Sequence, residues 1–122
     1  MDGTKALLVV EDEPMVRLLI EEVLLDAGFS VHPVESGVQA IEIMDTVGCT
    51  IHGVVTDVRL GAGPDGWAVA RHARERRPGL PVVYVTGDSA HEWRAQGVPE
   101  SLLVHKPFMT AQITTAVTTL LN

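Results

Sequence analysis

Four short apolar runs in the chain each stop on a side chain able to handle a metal ion or a phosphoryl group: Glu11 with Asp12, Asp57, Thr86 and Lys106. Apolar runs of strand length without polar alternation are the mark of strands covered on both faces, the condition of a parallel sheet. In open α/β sheets, ligands bind outside the carboxyl ends of the strands. The pattern therefore constrains fold and site together, as neighbouring strands of one sheet with polar C-terminal ends.

The segments between these runs supply the helices. Ala6 to Val10 is the first apolar run. Pro14 suits a first helical turn, Val16, Leu19, Ile20, Val23 and Leu24 recur at helical spacing, and Gly28 is the stop. Ser30 to Val34 contains His32 and Pro33, which predict a short strand at a sheet edge. Ser36 can cap a helix with Ala40, Ile41, Met44 and Val47 on its inner face. Val54 to Asp57 forms the third strand, Gly61 to Gly66 reads as a loop, and Trp67, Ala70 and Ala73 start a helix that Pro78-Gly79 ends. Pro81 to Thr86, a poorly periodic helix over Ala90 to Gln96, Leu102 to His105 and a helix with Ile113, Ala116, Val117 and Leu120 complete the chain. A strand–helix unit repeated in this way predicts an α/β fold, a doubly wound parallel sheet with helices on both faces.

At 122 residues the chain fits one domain, 1–122, large enough to bury a core. Nine basic against sixteen acidic residues give a formal charge of -7, which disfavours nucleic acid and anionic membrane surfaces and favours a divalent cation or a basic partner patch. No stretch approaches the roughly 20 apolar residues of a membrane span. The single cysteine, Cys49, cannot form an internal disulfide and reads as a small buried or loop residue, and no leading segment resembles a signal peptide, so a cytoplasmic location is the expectation.

Glu11, Asp12 and Asp57 converging at strand ends would repel one another, and a cation allows them to stay ionised together. Mg2+ fits, because it takes oxygen ligands and is commonly held by one or two carboxylates plus phosphoryl oxygens. Asp57 could then act as a nucleophile, Lys106 as a point charge on a phosphoryl oxygen and Thr86 as a hydroxyl donor to another. Each residue also has a plainer role available. Glu11, Asp12 and Glu13 could enrich a first helical turn, Thr86 could simply favour a strand, and Lys106 could be a solvated surface lysine. Asp65 reads as a helix cap and Trp67 and Trp93 as packing residues. His32, His52, His72, His91 and His105 lack metal-ligand spacing.

Taken in order, Glu11-Asp12, Asp57, Asp65-Gly66, Thr86-Gly87 and Lys106-Pro107-Phe108 resemble the receiver domain of the two-component response regulators over essentially the whole chain. The resemblance implies a five-stranded flavodoxin-like sheet in the order 2-1-3-4-5. It implies that Asp57 accepts a phosphoryl group from a histidine of a sensor kinase or phosphotransfer protein. It further implies Mg2+ held by Asp12, by Glu11 through water, by Asp57 and by the main-chain carbonyl of Arg59. Lys106 would bind the phosphoryl group, with a cis bond to Pro107, and Thr86 would move toward it. Output would pass to a downstream protein through the surface of the fourth helix, fifth strand and fifth helix, while the first helix and the loops around Asp57 meet the donor.

Three departures from the family pattern stand out. Leu103 occupies the position of the usual switching aromatic, for which Tyr84 or Trp93 are candidate substitutes. Gly61 replaces a usual proline, in a loop one residue longer than the common pattern. Arg59 and Asp88 occupy positions that tune phosphoryl lifetime, and the expectation is that they face each other across the site mouth and restrict attacking water. Two other functions are open to these residues: an acid-metal phosphohydrolase and a receiver-like interaction module that is never phosphorylated. The hydrolase pattern, however, has its nucleophile after the first strand, where this chain reads Asp12-Glu13-Pro14. A Rossmann nucleotide site is disfavoured by the absence of a glycine-rich turn there. With no output domain in the sequence, the chain reads as a stand-alone regulator or a domain of a hybrid kinase.

Overall fold

The computed structural model describes residues 4–47 and 50–121. Five strands alternate with helices: β1 (Ala6–Val10), α1 (Pro14–Asp26), β2 (Ser30–Val34), α2 (Gly37–Val47), β3 (Gly53–Asp57), α3 (Gly66–Arg76), β4 (Val82–Thr86), α4 (Trp93–Gln96), β5 (Leu102–His105) and α5 (Thr110–Leu121). The strands form one parallel sheet in the order β2-β1-β3-β4-β5, as the resemblance implied. Cys49 lies outside the described residues.

The unbroken apolar runs have the predicted cause. All five residues of β3 and of β4 are buried, because helices cover both faces of the sheet. Leu7, Val9, Val55, Val83 and Val85 point to one face and pack with Ile20 and Leu24 of α1 and with Ile113 and Val117 of α5. Leu8, Val10, Val54, Val82 and Tyr84 point to the other and pack with Ala40 and Met44 of α2 and with Trp67 and Ala70 of α3. Each fully buried Val or Leu contributes about 1.5–3 kcal/mol relative to exposure. The strand ends at β3 and β4 are therefore carried on a buried, packed frame.

Local details follow the sequence closely. β2 pairs only with β1, so Pro33 sits on an edge strand, where proline is tolerated. Ser36 Oγ accepts from the Gln39 N–H at 3.1 Å, the expected cap of α2. β4 begins at Val82 rather than Pro81, because proline has no N–H to give the ladder; its carbonyl still accepts from Val54 N at 2.9 Å. The weakly periodic segment after β4 becomes a 3-10 turn, Ala90–Glu92, followed by a single helical turn, α4. On α1, Ile20 and Leu24 are buried while Met15, Leu18, Leu19 and Leu25 face solvent. Among the described residues, no helix is long and apolar enough to cross a membrane.

Candidate functional site

Parallel register brings the strand ends side by side: Val10 pairs with Thr56, Asp57 with Val85 and Thr86 with His105. The residues that terminate these strands therefore meet at one edge of the sheet. Carboxylate oxygens of Glu11, Asp12 and Asp57 all lie within 4.8 Å of one another. Lys106 Nζ donates to Glu11 Oε1 at 3.0 Å and to Asp57 Oδ2 at 3.1 Å. Asp57 Oδ1 accepts from the Val58 N–H at 2.7 Å, and its main-chain carbonyl accepts from Thr56 Oγ1 at 2.8 Å.

Burial divides the three acids. Glu11 is 1% exposed and Asp57 8%, whereas Asp12 faces solvent. Burial pushes the Glu11 carboxyl up to about 7, with the Asp57 charge adding to the rise and hydrogen bonds from Lys106 and the Glu13 N–H opposing it. For Lys106 burial disfavours the charge, but its hydrogen bond to Glu11 and the charge of Asp57 outweigh this and hold the ammonium above the ordinary lysine value. One ammonium thus bridges two of the three clustered carboxyls. The donor set is all hard oxygen and one ligand opens to water, which fits Mg2+, a cation that retains several waters. The group holds no histidine or cysteine that would favour zinc.

Thr86 supplies a second test of fit. Among the described residues its buried Oγ1 has no hydrogen-bond partner; it lies at the end of β4, where the Thr86 carbonyl accepts from the Lys106 N–H at 2.9 Å. Such a group costs about 1–3 kcal/mol. An oxygen-rich ligand on Asp57 would give that hydroxyl an acceptor. The Lys106-Pro107 bond is cis, as the resemblance implied.

Arg59 follows Asp57 by two residues, and its side chain spans to the β4–α4 segment. Its Nε lies 3.2 Å from Asp88 Oδ1 and donates to Ser89 Oγ at 3.1 Å. The pair expected to face each other does so, although with side chains 67% and 73% exposed it adds only about 0–1 kcal/mol. Asp65 caps α3, accepting from the Ala68 N–H at 2.9 Å. Leu103 is half-buried against the α2–α3 face of the sheet. Tyr84 is wholly buried, its ring centroid 4.7 Å from that of Trp67 and its hydroxyl accepting from the Val98 N–H at 3.1 Å. Trp93 Nε1 donates to Ser101 Oγ at 3.0 Å. His52 Nδ1 accepts from the Ala6 N–H, and His72 pairs with Asp45, so both histidines have structural partners.

Several contributors escaped sequence reasoning. Gly66 was legible only as part of a motif; a Cβ there would overlap the Asp57 carbonyl oxygen and lie 2.7 Å from Val58 Cα, so α3 can start against the acceptor strand only with glycine. Thr56, Ser89 and Arg17 join the site through hydrogen bonds that no spacing pattern announces.

Residues 7–118 match the response regulator receiver domain. The chain belongs to this family. A response regulator receiver protein from Sinorhizobium medicae WSM419 is 48% identical to this receiver domain, with a TM-score of 0.94 over 98% of this chain and 96% of that one. The sensor kinase CckA of Brucella abortus is 33% identical over 100% of the receiver domain, which spans only 13% of CckA. The transcriptional regulator NtrC of Klebsiella pneumoniae matches 66% of this chain at 32% identity, and the match spans 17% of its length. The receiver domain of the Pseudomonas aeruginosa PAO1 sensor histidine kinase PA1611, 24% identical, shares the fold at a TM-score of 0.83 over 98% of each chain; that protein has a magnesium ion coordinated in its active site cleft.

Proposed function

We propose that this receiver domain is a Mg2+-dependent phosphoacceptor switch in which Asp57 takes a phosphoryl group from a histidine of a sensor kinase or phosphotransfer protein. The observation that carries this reading is the convergence of Glu11, Asp12 and Asp57 within 4.8 Å of one another, with Lys106 bridging two of them. Mg2+, held by Glu11, Asp12, Asp57 and the Arg59 main-chain carbonyl, would offset the negative charge of acceptor and phosphoryl oxygens.

The chain's own groups do the rest. Lys106, kept charged by its two acids, favours the ionised carboxylate that is the nucleophile. A carboxylate oxygen of Asp57 attacks phosphorus, the phosphorus–nitrogen bond of the donor breaks, and its electron pair returns to the imidazole nitrogen. The Val58 N–H and the Thr56 hydroxyl hold Asp57 while this happens. Lys106 then exchanges a carboxylate for a phosphoryl oxygen, and the buried Thr86 hydroxyl gains an acceptor. Movement of Thr86 carries the adjoining Asp88-Ser89 segment, which is tied to Arg59, and so biases the β4–α4 loop between two arrangements. The Arg59–Asp88 pair restricts water at the site mouth and lengthens the phosphoryl lifetime. Output passes to a downstream protein by contact, in a cytoplasmic setting; a charge of -7 disfavours nucleic acid or an anionic membrane as the target.

The domain is incubated with MgCl2 and a small phosphodonor, and intact mass is recorded for wild type and Asp57→Ala. One added phosphoryl group on wild type only, lost on chelation of Mg2+ before donor addition, is the expected result. No adduct, or an equal adduct on Asp57→Ala, refutes the assignment. Faster decay of the adduct in Arg59→Ala or Asp88→Ala tests the water-restricting pair; unchanged lifetimes remove it.

A further inference from the structure

Asp12 is the metal-facing acid with the least support. Among the described residues its carboxylate makes no hydrogen bond or ion pair, so the main chain is what places the Cα–Cβ bond from which it reaches the site. The peptide that enters Asp12 carries the Glu11 carbonyl, and Arg17 Nη1 donates to that oxygen at 2.9 Å. We propose that Arg17, half-buried at the end of the first turn of α1, is a positioning residue that fixes the Glu11–Asp12 peptide and with it the main-chain position from which the Asp12 carboxylate reaches Mg2+. The inference rests on the Mg2+ reading above.

The surrounding bonds show why one guanidinium can matter. Glu11 is otherwise held by its N–H donating to the Val34 carbonyl at 3.1 Å, by Oε2 accepting from the Glu13 N–H at 3.1 Å and by Oε1 accepting from Lys106 Nζ at 3.0 Å. Its carboxylate is therefore already fixed, and the exposed Asp12 is the acid that depends on the peptide. The start of α1 brings little of its own: Glu13 makes no side-chain cap, and Pro14 has no N–H. Arg17 braces the Glu11–Glu13 tripeptide at both ends, with its main-chain N–H donating to the Glu13 carbonyl at 2.9 Å and its side chain donating to Glu11. Without the side-chain bond, the Glu11 carbonyl loses its tether to α1, and the Asp12 carboxylate has no contact of its own to resist a tilt of that peptide. Outer partners that orient metal ligands are worth about 10–100-fold in metal affinity.

Two physical roles of Arg17 predict opposite signs. A guanidinium beside a cation site repels the cation, so if Arg17 acted through its charge alone, neutralising it would tighten Mg2+ binding. If it acts by positioning, neutralising it weakens binding. The test is calorimetric titration of the full chain with MgCl2 at constant ionic strength, comparing wild type with Arg17→Met, which keeps an apolar stem, and Arg17→Gln, which is neutral but keeps a donor. Positioning predicts about tenfold or greater loss of affinity in Arg17→Met and a smaller loss in Arg17→Gln. A purely structural role would lower the urea midpoint in EDTA and leave the Mg2+ affinity of the folded protein unchanged. Affinity equal to or tighter than wild type in Arg17→Met overturns the proposal; if that variant does not fold, the same criterion applies to Arg17→Gln. Failure of wild type to bind Mg2+ would overturn the metal reading itself, and the role of Arg17 with it.

Discussion

Glu11→Gln replaces the buried carboxyl with a neutral group of nearly the same shape, and its effect on stability has a definite pH dependence. In the unfolded chain the Glu11 proton leaves near the ordinary value of 4.5; in the folded protein burial and the Asp57 charge hold it to about 7. Between those values the folded state binds more protons than the unfolded state, so stability falls as pH rises. The contribution is fully present below 4.5 and is lost as pH passes through about 7. The gap of about 2.5 units, at about 1.4 kcal/mol per unit, corresponds to about 3 kcal/mol. Gln carries no such dependence and can still accept from Lys106. Urea unfolding of both proteins in EDTA, from about pH 5 to about pH 8.5, reads the difference directly. Glu11→Gln gains on wild type by roughly 2–3 kcal/mol across that range, and MgCl2 raises the wild-type curve most at the alkaline end, where the ionised carboxylate binds the cation. Parallel curves would refute the reasoning. So would wild type gaining on the variant with pH, since the Lys106 ion pair would then outweigh burial.

Thr86→Val replaces the unpartnered buried hydroxyl with a methyl group; denaturant unfolding is expected to show unchanged or higher stability, by up to about 1–3 kcal/mol, and a clear loss would mean that the hydroxyl already has a partner. Gly66→Ala forces a Cβ into the Asp57 carbonyl, and a loss of about 1–3 kcal/mol or more is expected, together with altered chemical shifts at Asp57 and Val58; a neutral substitution would contradict that close approach. Tyr84→Phe leaves the buried Val98 N–H without its acceptor and is expected to cost about 1–3 kcal/mol, with faster amide exchange at Val98 as the local signature. Protection of that amide equal to wild type would show that the tyrosine hydroxyl does not hold the α4–β5 loop.

Much of the frame is legible in the sequence alone. Ala6 to Val10, Val54 to Asp57 and Pro81 to Thr86 read as strands without polar alternation, and helices cover both faces of the strands that they form. Pro33 announced an edge, Ser36 and Asp65 announced caps, and the acids, hydroxyl and amine at the strand ends announced a shared edge. Pro81 and the short α4 mark where local signals weaken, since a missing N–H and a poorly periodic segment leave the element bounds to tertiary contacts. With Leu103 in the family's aromatic position, Tyr84 and Trp93 are the candidate substitutes. Both have partners in or beside the core, which neither residue type nor spacing could specify.

By itself the sequence determined the order of elements, the parallel sheet and the identity of the polar strand ends, because these depend on hydropathy, periodicity and side-chain chemistry within short stretches. The tertiary structure alone decided how those ends act on one another. It brought Lys106 between Glu11 and Asp57, raised the Glu11 carboxyl toward neutrality, left the Thr86 hydroxyl unpartnered, pressed Gly66 against the Asp57 carbonyl and set Arg17 on the Glu11 carbonyl. Each of these depends on distance and burial between residues far apart in the chain, from Glu11 to Lys106 above all, and such quantities exist only once the strands have been laid side by side.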